Sequence, residues 1–101
     1  MAKVRAIIKR PDEQYGHVCN ISATLENLQK TVGGNIETIT FENFVIICNE
    51  EGKLRKLEPN MFVGMDMLVG TIIVIGTKGE EFSDLRLDFS VWKKLVDKWG
   101  N

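Results

Sequence analysis

The stretch LENLQKTVGGNIETI, residues 25–39, restricts the possible folds more than any other part of the sequence. Its apolar residues recur at helical spacing over 25–32, and Thr24 in front of them is a good N-terminal cap. Gly33–Gly34 follows, and glycine takes the left-handed conformation that ends many helices at little cost. Alternating residues at 36–41 then have the pattern of a strand. The glycine pair therefore marks the passage from a helix into a strand.

The other patterns complete an α+β domain. Apolar or alternating runs predict further strands at 3–9, 17–21, 44–50 and 71–76, and an apolar stripe predicts a second helix at 84–99. We expect a mainly antiparallel sheet of about five strands in the order ββαβββα, with both helices, at 24–32 and 84–99, covering one face. The run at 71–76 is the most apolar and should be the central strand. Basic residues up to Lys9 should give the first strand a basic outer face.

Length and charge limit the class of protein. A chain of 101 residues with this apolar fraction should form one globular domain, residues 1–101. Its 13 basic and 14 acidic side chains nearly cancel, which removes the general attraction that nonspecific nucleic-acid binding requires. A small domain buries a limited share of its surface, so we expect a homo-oligomer. Trp99 beside the terminus is a candidate for the subunit interface.

Cysteine usage and hydropathy favour a cytoplasmic location. Cys19 and Cys48 lie in predicted strands, and two thiols are too few for a disulfide framework or a zinc site. We expect both to be buried and reduced. The start of the chain is too charged for a signal peptide, and the apolar run at 65–76 is far shorter than the roughly 20 residues of a spanning helix. No membrane segment is predicted.

No motif in the sequence indicates catalysis, a metal or a cofactor. His17 is the only histidine and has no nucleophile beside it in sequence, so we interpret it as an ordinary histidine at a strand edge. The glycine-containing stretches do not have the spacing or position of a phosphate-binding loop. The turn at 49–53 lacks the spacing of a calcium loop. We expect a protein that is not an enzyme; the alternative is a small enzyme acting on a nucleotide or phosphoester.

Four ordered blocks carry a family resemblance: LENLQKTVGGNIETI, VIICNEEGKLRKLEPN, DMLVGTIIVIG and EEFSDL. They resemble blocks of a small family found in phages, prophages and mobile elements of Gram-positive bacteria and described only as a domain of unknown function. The similarity covers roughly residues 20–87 and includes the patterns LExLQxxVGGxIE and CNEEGKL. Met61 stands where the family often has an arginine, so a site that used that arginine is altered. The resemblance implies an accessory protein of a mobile element in a bacterial host cell, and it implies no reaction.

The connection between residues 50 and 60 is the best local candidate for binding an anion. Three cations lie close together in it, and if the fold gathers them with Arg5 they would suit a phosphate or a nucleotide; otherwise they are scattered solvated charges. Gln29, Asn49 and Asn60 have no packing role that the sequence explains, so they are candidates for contacting a ligand. The candidate ligand-binding residues are Arg5, Gln29, Asn49, Glu51, Lys53, Arg55 and Asn60.

These observations predict a non-enzymatic accessory binding protein of a phage or mobile element. Its expected role is counter-defence, in which it sequesters a small anionic host signal such as a nucleotide or binds a host protein. If the connection is the site, Arg55→Ala should lower affinity by about tenfold to a hundredfold and leave the fold intact, and Lys53→Ala should do so to a lesser degree.

Overall fold

The computed structural model describes residues 3–101. In chain order the elements are β1 (Lys3–Lys9), β2 (His17–Ser22), α1 (Leu25–Val32), β3 (Ile36–Thr40), β4 (Val45–Asn49), β5 (Pro59–Val63), β6 (Asp66–Val69), β7 (Ile72–Lys78), β8 (Glu81–Ser83) and α2 (Phe89–Lys98). The fold class is α+β with two helices, as the sequence predicts. Within residues 3–101, no helix is both long enough and apolar enough to cross a membrane.

Six strands form one antiparallel sheet, with the path β2–β1–β7–β4–β3 and with β8 paired to the end of β7. β7 holds the central position that its apolar sequence predicts, because it pairs with β1, β4 and β8. β5 and β6 form a separate hairpin. The predicted strand order omits both strands of this hairpin and β8, because these short, partly exposed strands lack a clean alternating pattern.

The two helices pack on opposite faces of the sheet, so the prediction that both cover one face is wrong. Along β4, Ile46 and Cys48 join the core beneath α2, whereas Val45 and Ile47 join the core beneath α1. Every residue of β4 is buried because both of its faces are covered. A continuous apolar run indicates this double burial, but it does not say which helix covers which face.

α2 begins at Phe89, later than the predicted start at residue 84, and Arg5 explains the difference. The Arg5 guanidinium donates to the backbone carbonyls of Leu85 and Leu87 at 2.7 and 2.9 Å. The Leu85 amide donates in turn to the carbonyl of Arg5 at 2.8 Å. These bonds hold the segment before α2 against β1, so Leu85 enters the core without belonging to the helix.

Trp92 and Trp99 pack inside the chain on the face covered by α2. Trp92 is fully buried, and its indole N–H donates to the carbonyl of Tyr15 at 2.8 Å. The ring of Trp99 lies 6.3 Å from that of Trp92 and 5.7 Å from that of Phe41. Trp99 therefore has a packing role within one chain, and its contact with a second chain stays a prediction.

The two thiols and the histidine lie in strands. Both cysteines are free; Cys48 is buried, as predicted, whereas Cys19 is only half-buried because it lies in the edge strand β2. His17 is the first residue of β2, and its Nδ1 lies 3.0 Å from a carboxylate oxygen of Glu13. This is the strand-edge position that the sequence predicts.

Candidate functional site

Backbone hydrogen bonds close the end of α1. Gly33 takes a left-handed φ of 84°, and the amides of Gly33 and Gly34 donate to the carbonyl of Gln29 at 2.8 and 3.0 Å. The Gln29 side chain donates to Oδ1 of Asn35 at 3.2 Å, where the chain enters β3. Gln29 therefore has a structural role at this junction, for which the sequence alone supplied no reason.

Two side chains from the next segment complete the same junction. Asn49 Nδ2 donates to the carbonyl of Val32 at 3.1 Å, and Arg55 Nη1 donates to the carbonyl of Gly33 at 2.8 Å. Both satisfy carbonyls that the end of a helix leaves without a partner. A Cβ on Gly34 would lie 3.0 Å from Asn49 Nδ2 and 3.2 Å from Arg55 Nη1, so the second glycine makes room for them. We call Gly33, Gly34, Asn49 and Arg55 the C-cap cluster.

The C-cap cluster brings together residues from two of the sequence blocks, LENLQKTVGGNIETI and VIICNEEGKLRKLEPN. The first block supplies α1 and its glycines, and the second supplies Asn49 and Arg55. Asn49 is 6% exposed, and its Oδ1 also accepts a hydrogen bond from the amide of Glu51 at 2.8 Å. The expectation that Asn49 lacks a structural role is wrong, because its side chain joins the end of α1 to the turn after β4.

Buried Lys9 and half-buried Asn60 form a second polar pair, between β1 and β5. Asn60 Nδ2 donates to the carbonyls of Lys9 and Gly70 at 2.9 and 2.8 Å, and Lys9 Nζ donates to Asn60 Oδ1 at 2.6 Å. Lys9 is only 2% exposed, and burial lowers the pKa of its ammonium. The predictions that Asn60 lacks a structural role and that Lys9 lies on a basic outer face are wrong, because Asn60 of β5 bonds to Lys9 at this end of β1 and the Lys9 side chain is buried.

The predicted binding residues do not gather in one place. Gln29, Asn49 and Arg55 lie at the end of α1, Glu51 and Lys53 lie on the exposed loop that follows β4, Asn60 lies against β1, and Arg5 holds the segment before α2. Arg5 cannot join the loop, because β7 lies between β1 and β4 in the sheet.

A small hollow beside this loop has an unfavourable charge for an anion. It has a volume of about 200 Å³, and its lining includes the carboxylates of Glu37, Glu50 and Asp66 against the single ammonium of Lys53. Lys53 is already ion-paired with Asp66. Burial, together with the nearby carboxylates of Glu37 and Asp66, raises the pKa of the Cys48 thiol in the lining to about 11. The hollow therefore favours neutral groups over anions.

A larger cleft of about 680 Å³ opens at one end of the sheet. It lies between the β3–β4 turn, the end of β7 and the segment that joins β8 to α2. We call it the end cleft; its lining residues are Glu42, Asn43, Thr77, Lys78, Ser83, Asp84, Arg86 and Leu87. None of the sequence-predicted site residues lines it.

The end cleft exists because β7 changes partner along its length. β7 pairs with β1 up to Ile75 and with β8 from Gly76 onward. The chain after β8 passes so close that a Cβ on Gly76 would lie 2.2 Å from the carbonyl oxygen of Asp84. The amide of Arg5 donates to the Asp84 carboxylate at 2.7 Å. Gly76 and Arg5 thus fix the position of Asp84, and with it the segment after β8 that lines the cleft.

Two cations of the end cleft are available to a ligand. Lys78 and Arg86 are exposed, and within residues 3–101 no carboxylate oxygen lies within 4.0 Å of either charged group. The carboxylates of Glu42 and Asp84 share the lining with hydroxyl and amide groups. The cleft can therefore offer both cations and hydrogen-bond acceptors to a polar molecule. The described residues contain no group of three or more His, Cys, Asp or Glu side chains that could hold a metal ion.

The chain belongs to the protein family described as a domain of unknown function, DUF3846, which matches residues 4–98. This confirms the expectation of a domain of unknown function, and the matched range includes both the C-cap cluster and the end cleft. A search of curated proteins and a search of solved structures found no match. The sequence block EEFSDL contains Ser83 and Asp84 of the end cleft, so it could have indicated this site. Its acidic residues gave no reason to prefer it over the basic loop as an anion site.

Proposed function

We propose that this chain is a non-enzymatic binding protein that takes a small anionic molecule, such as a nucleotide, into the end cleft. One observation carries the proposal: Lys78 and Arg86 line the same cleft and have no carboxylate partner among the described residues. By contrast, the guanidinium of Arg5 and the ammonium of Lys53 already bond to protein groups. Two unpaired cations at one concave surface are what an anion requires.

The size and lining of the end cleft favour a nucleotide over a bare phosphate. Its volume of about 680 Å³ lies within the usual range of small-molecule sites, about 300–1,000 Å³. Glu42 and Asp84 can accept hydrogen bonds from the hydroxyl or amino groups of a sugar or base, whereas they would repel an inorganic phosphate. Asn43 can donate and accept at the edge of a base. The mixture of charges therefore supports a ligand with separate anionic and neutral polar parts.

The family blocks suggest a setting for this activity. They resemble proteins of phages and mobile elements, so the proposed role is that of an accessory protein in a bacterial host cell. There it would act in counter-defence, by binding an anionic host signal and withholding it from its receptor. Sequestration requires binding without conversion, which also separates this proposal from the alternative of a small enzyme acting on a nucleotide or phosphoester.

Calorimetry with a panel of linear and cyclic nucleotides tests the proposal. A nucleotide should bind the parent protein, and Arg86→Ala and Lys78→Ala should each weaken binding by about tenfold or more, since a hydrogen bond to a charged group contributes roughly 1.5–3 kcal/mol. Lys94→Ala is the matched control, because Lys94 is an exposed cation on α2 outside the cleft. Circular dichroism of each variant should match that of the parent.

The fate of the ligand decides between binding and catalysis. After incubation and denaturation, chromatography should recover the nucleotide intact. Recovery of a converted product would identify an enzyme and overturn the proposal. Failure of every nucleotide to bind would also overturn it, as would binding that Arg86→Ala and Lys78→Ala leave unchanged.

A further inference from the structure

The outer edge of β2 has free backbone hydrogen-bonding groups. Asn20 pairs with Arg5 of β1, but the amide and carbonyl of Arg5 bond to Asp84 and Leu85 on its other side. Opposed residues in an antiparallel ladder either exchange both hydrogen bonds or exchange none. The amide and carbonyl of Asn20 therefore point away from β1, and so do those of Val18, two residues earlier. No other strand of the described chain pairs with this edge.

This edge lacks the features that usually prevent strands from pairing with other chains. Its pairing with β1 runs from His17 to Ser22 without a bulge. The strand, HVCNIS, contains no proline, no lysine and no carboxylate. Edge strands of soluble proteins are usually blunted by such residues. Val18 is 41% exposed and would be covered by a neighbouring strand.

We propose that β2 pairs antiparallel with β2 of a second copy of this chain, across a two-fold axis perpendicular to the sheet. Such an axis keeps the α1 face of both copies on the same side, so residues of the same parity must oppose each other. Pairing centred on Cys19 meets this condition. Val18 and Asn20 of one copy then exchange hydrogen bonds with Asn20 and Val18 of the other, and the two Cys19 residues lie opposite each other. The two sheets become one.

The hydrogen bonds at the end of β2 select this register. Pairing centred on Asn20 would oppose Val18 to Ser22 of the second copy, but the Ser22 carbonyl already accepts from Nδ2 of Asn27 at 2.7 Å. Pairing centred on Cys19 needs no bond between Val18 and Ser22. The register thus follows from the groups that α1 leaves free.

Charge selects β2 over the opposite edge strand, β3. Antiparallel self-pairing of β3 about Thr38 would make the two Glu37 side chains diagonal neighbours on one face of the sheet. Two carboxylates at that separation repel each other. β2 carries no carboxylate, so its self-pairing has no such cost.

Oxidation of the unmodified protein tests the register. Opposed residues that exchange no hydrogen bonds have Cα atoms about 4.5 Å apart, which lies within the disulfide range of about 4.4–6.8 Å. Diamide should therefore link two chains through Cys19, and Cys19→Ser should abolish the linked dimer. Cys48 is 5% exposed and should not substitute for Cys19. A dimer in solution that diamide does not link through Cys19 overturns the proposal.

Proline substitution tests which edge is used. Asn20→Pro removes an outward amide without removing a bond to β1, and it should raise the dimer dissociation constant by at least about tenfold in sedimentation equilibrium. Thr38→Pro is the matched control. The amide of Phe41 donates to the carbonyl of Phe44, and the amide of Glu50 donates to that of Asn35, so the odd-numbered residues of β3 bond to β4. The Thr38 amide therefore points outward from β3. This variant should leave the dimer intact.

Three outcomes would contradict the proposal. The first is that the parent protein is a monomer at every concentration. The second is that Asn20→Pro folds and dimerises as the parent does. The third is that Thr38→Pro dissociates the dimer whereas Asn20→Pro does not. If circular dichroism shows that Asn20→Pro does not fold, the diamide experiment on the parent protein decides the question alone.

Discussion

The C-cap cluster and the end cleft contain similar polar side chains and use them in opposite ways. In the C-cap cluster, Asn49 and Arg55 bond to carbonyls at the end of α1. In the end cleft, Arg86 is exposed and has no carboxylate partner among the described residues. A guanidinium that completes the backbone of its own chain is less available to a ligand than one that faces an open cleft. Sequence patterns alone do not separate the two cases.

The largest expected loss of stability comes from a substitution beside the end cleft. Gly76→Ala should lower the free energy of unfolding by about 3 kcal/mol, because its Cβ would meet a backbone oxygen of Asp84 that cannot move independently. Gly34→Ala is the comparison, since its Cβ would meet only side-chain atoms of Asn49 and Arg55, and it should cost about 1 kcal/mol. Urea denaturation measures both. Equal costs would show that the cleft wall is no more rigid than the C-cap cluster.

Asn49→Ala should destabilise the fold and leave ligand binding unchanged. It removes the partner of a helix-terminal carbonyl and of the Glu51 amide, which should cost about 2 kcal/mol. Asn43→Ala in the end cleft should change stability by less than about 0.5 kcal/mol, because Asn43 is exposed. Thermal unfolding and calorimetry on both variants check the contrast. A larger loss of stability in Asn43→Ala, or weaker ligand binding in Asn49→Ala, would contradict the roles assigned to the two regions.

Alkaline pH should lower the free energy of unfolding, because the buried thiol of Cys48, next to the C-cap cluster, resists losing its proton. The thiol pKa is about 11 in the folded protein against an ordinary value of 9.0, so between these values the folded state binds more protons than the unfolded state. Stability from this group is complete below pH 9.0 and falls as pH rises toward 11. The loss should be about 1 kcal/mol near pH 10.

The Cys48→Ala variant is the control for this pH dependence. Subtracting its stability profile from that of the parent removes the contribution of Lys9, whose lowered pKa acts in the opposite direction. A parent profile parallel to that of the variant above pH 9.0 would contradict the expected burial of the thiol.

Arg55→Ala should produce a small change in stability and the clearest choice between the two candidate sites. If Arg55 only caps α1, its loss should cost about 0.5 kcal/mol of stability, and nucleotide affinity should stay at the parent value. If the loop after β4 is the binding site, as the sequence predicts, affinity should instead fall by about tenfold to a hundredfold. Calorimetry of Arg55→Ala beside Arg86→Ala therefore locates the site in one comparison.

Local patterns in the sequence determined the fold class, the helix-to-strand passage at Gly33 and the central place of β7. These depend on periodicity and on glycine conformation, which act over a few residues and can be read from neighbours along the chain. The tertiary structure alone decided that the helices cover opposite faces and that Lys9 is buried.

The tertiary structure also decided which polar groups remain free. The amide of Arg5 bonds to a carboxylate 79 residues away, and Asn49 caps a helix 17 residues before it. Such partners are set by how the strands are ordered in the sheet, which no local spacing records. That Lys78 and Arg86 are available to a ligand could be seen only from the positions of the carboxylates around them. A side chain is free for a ligand only when the fold does not already use it.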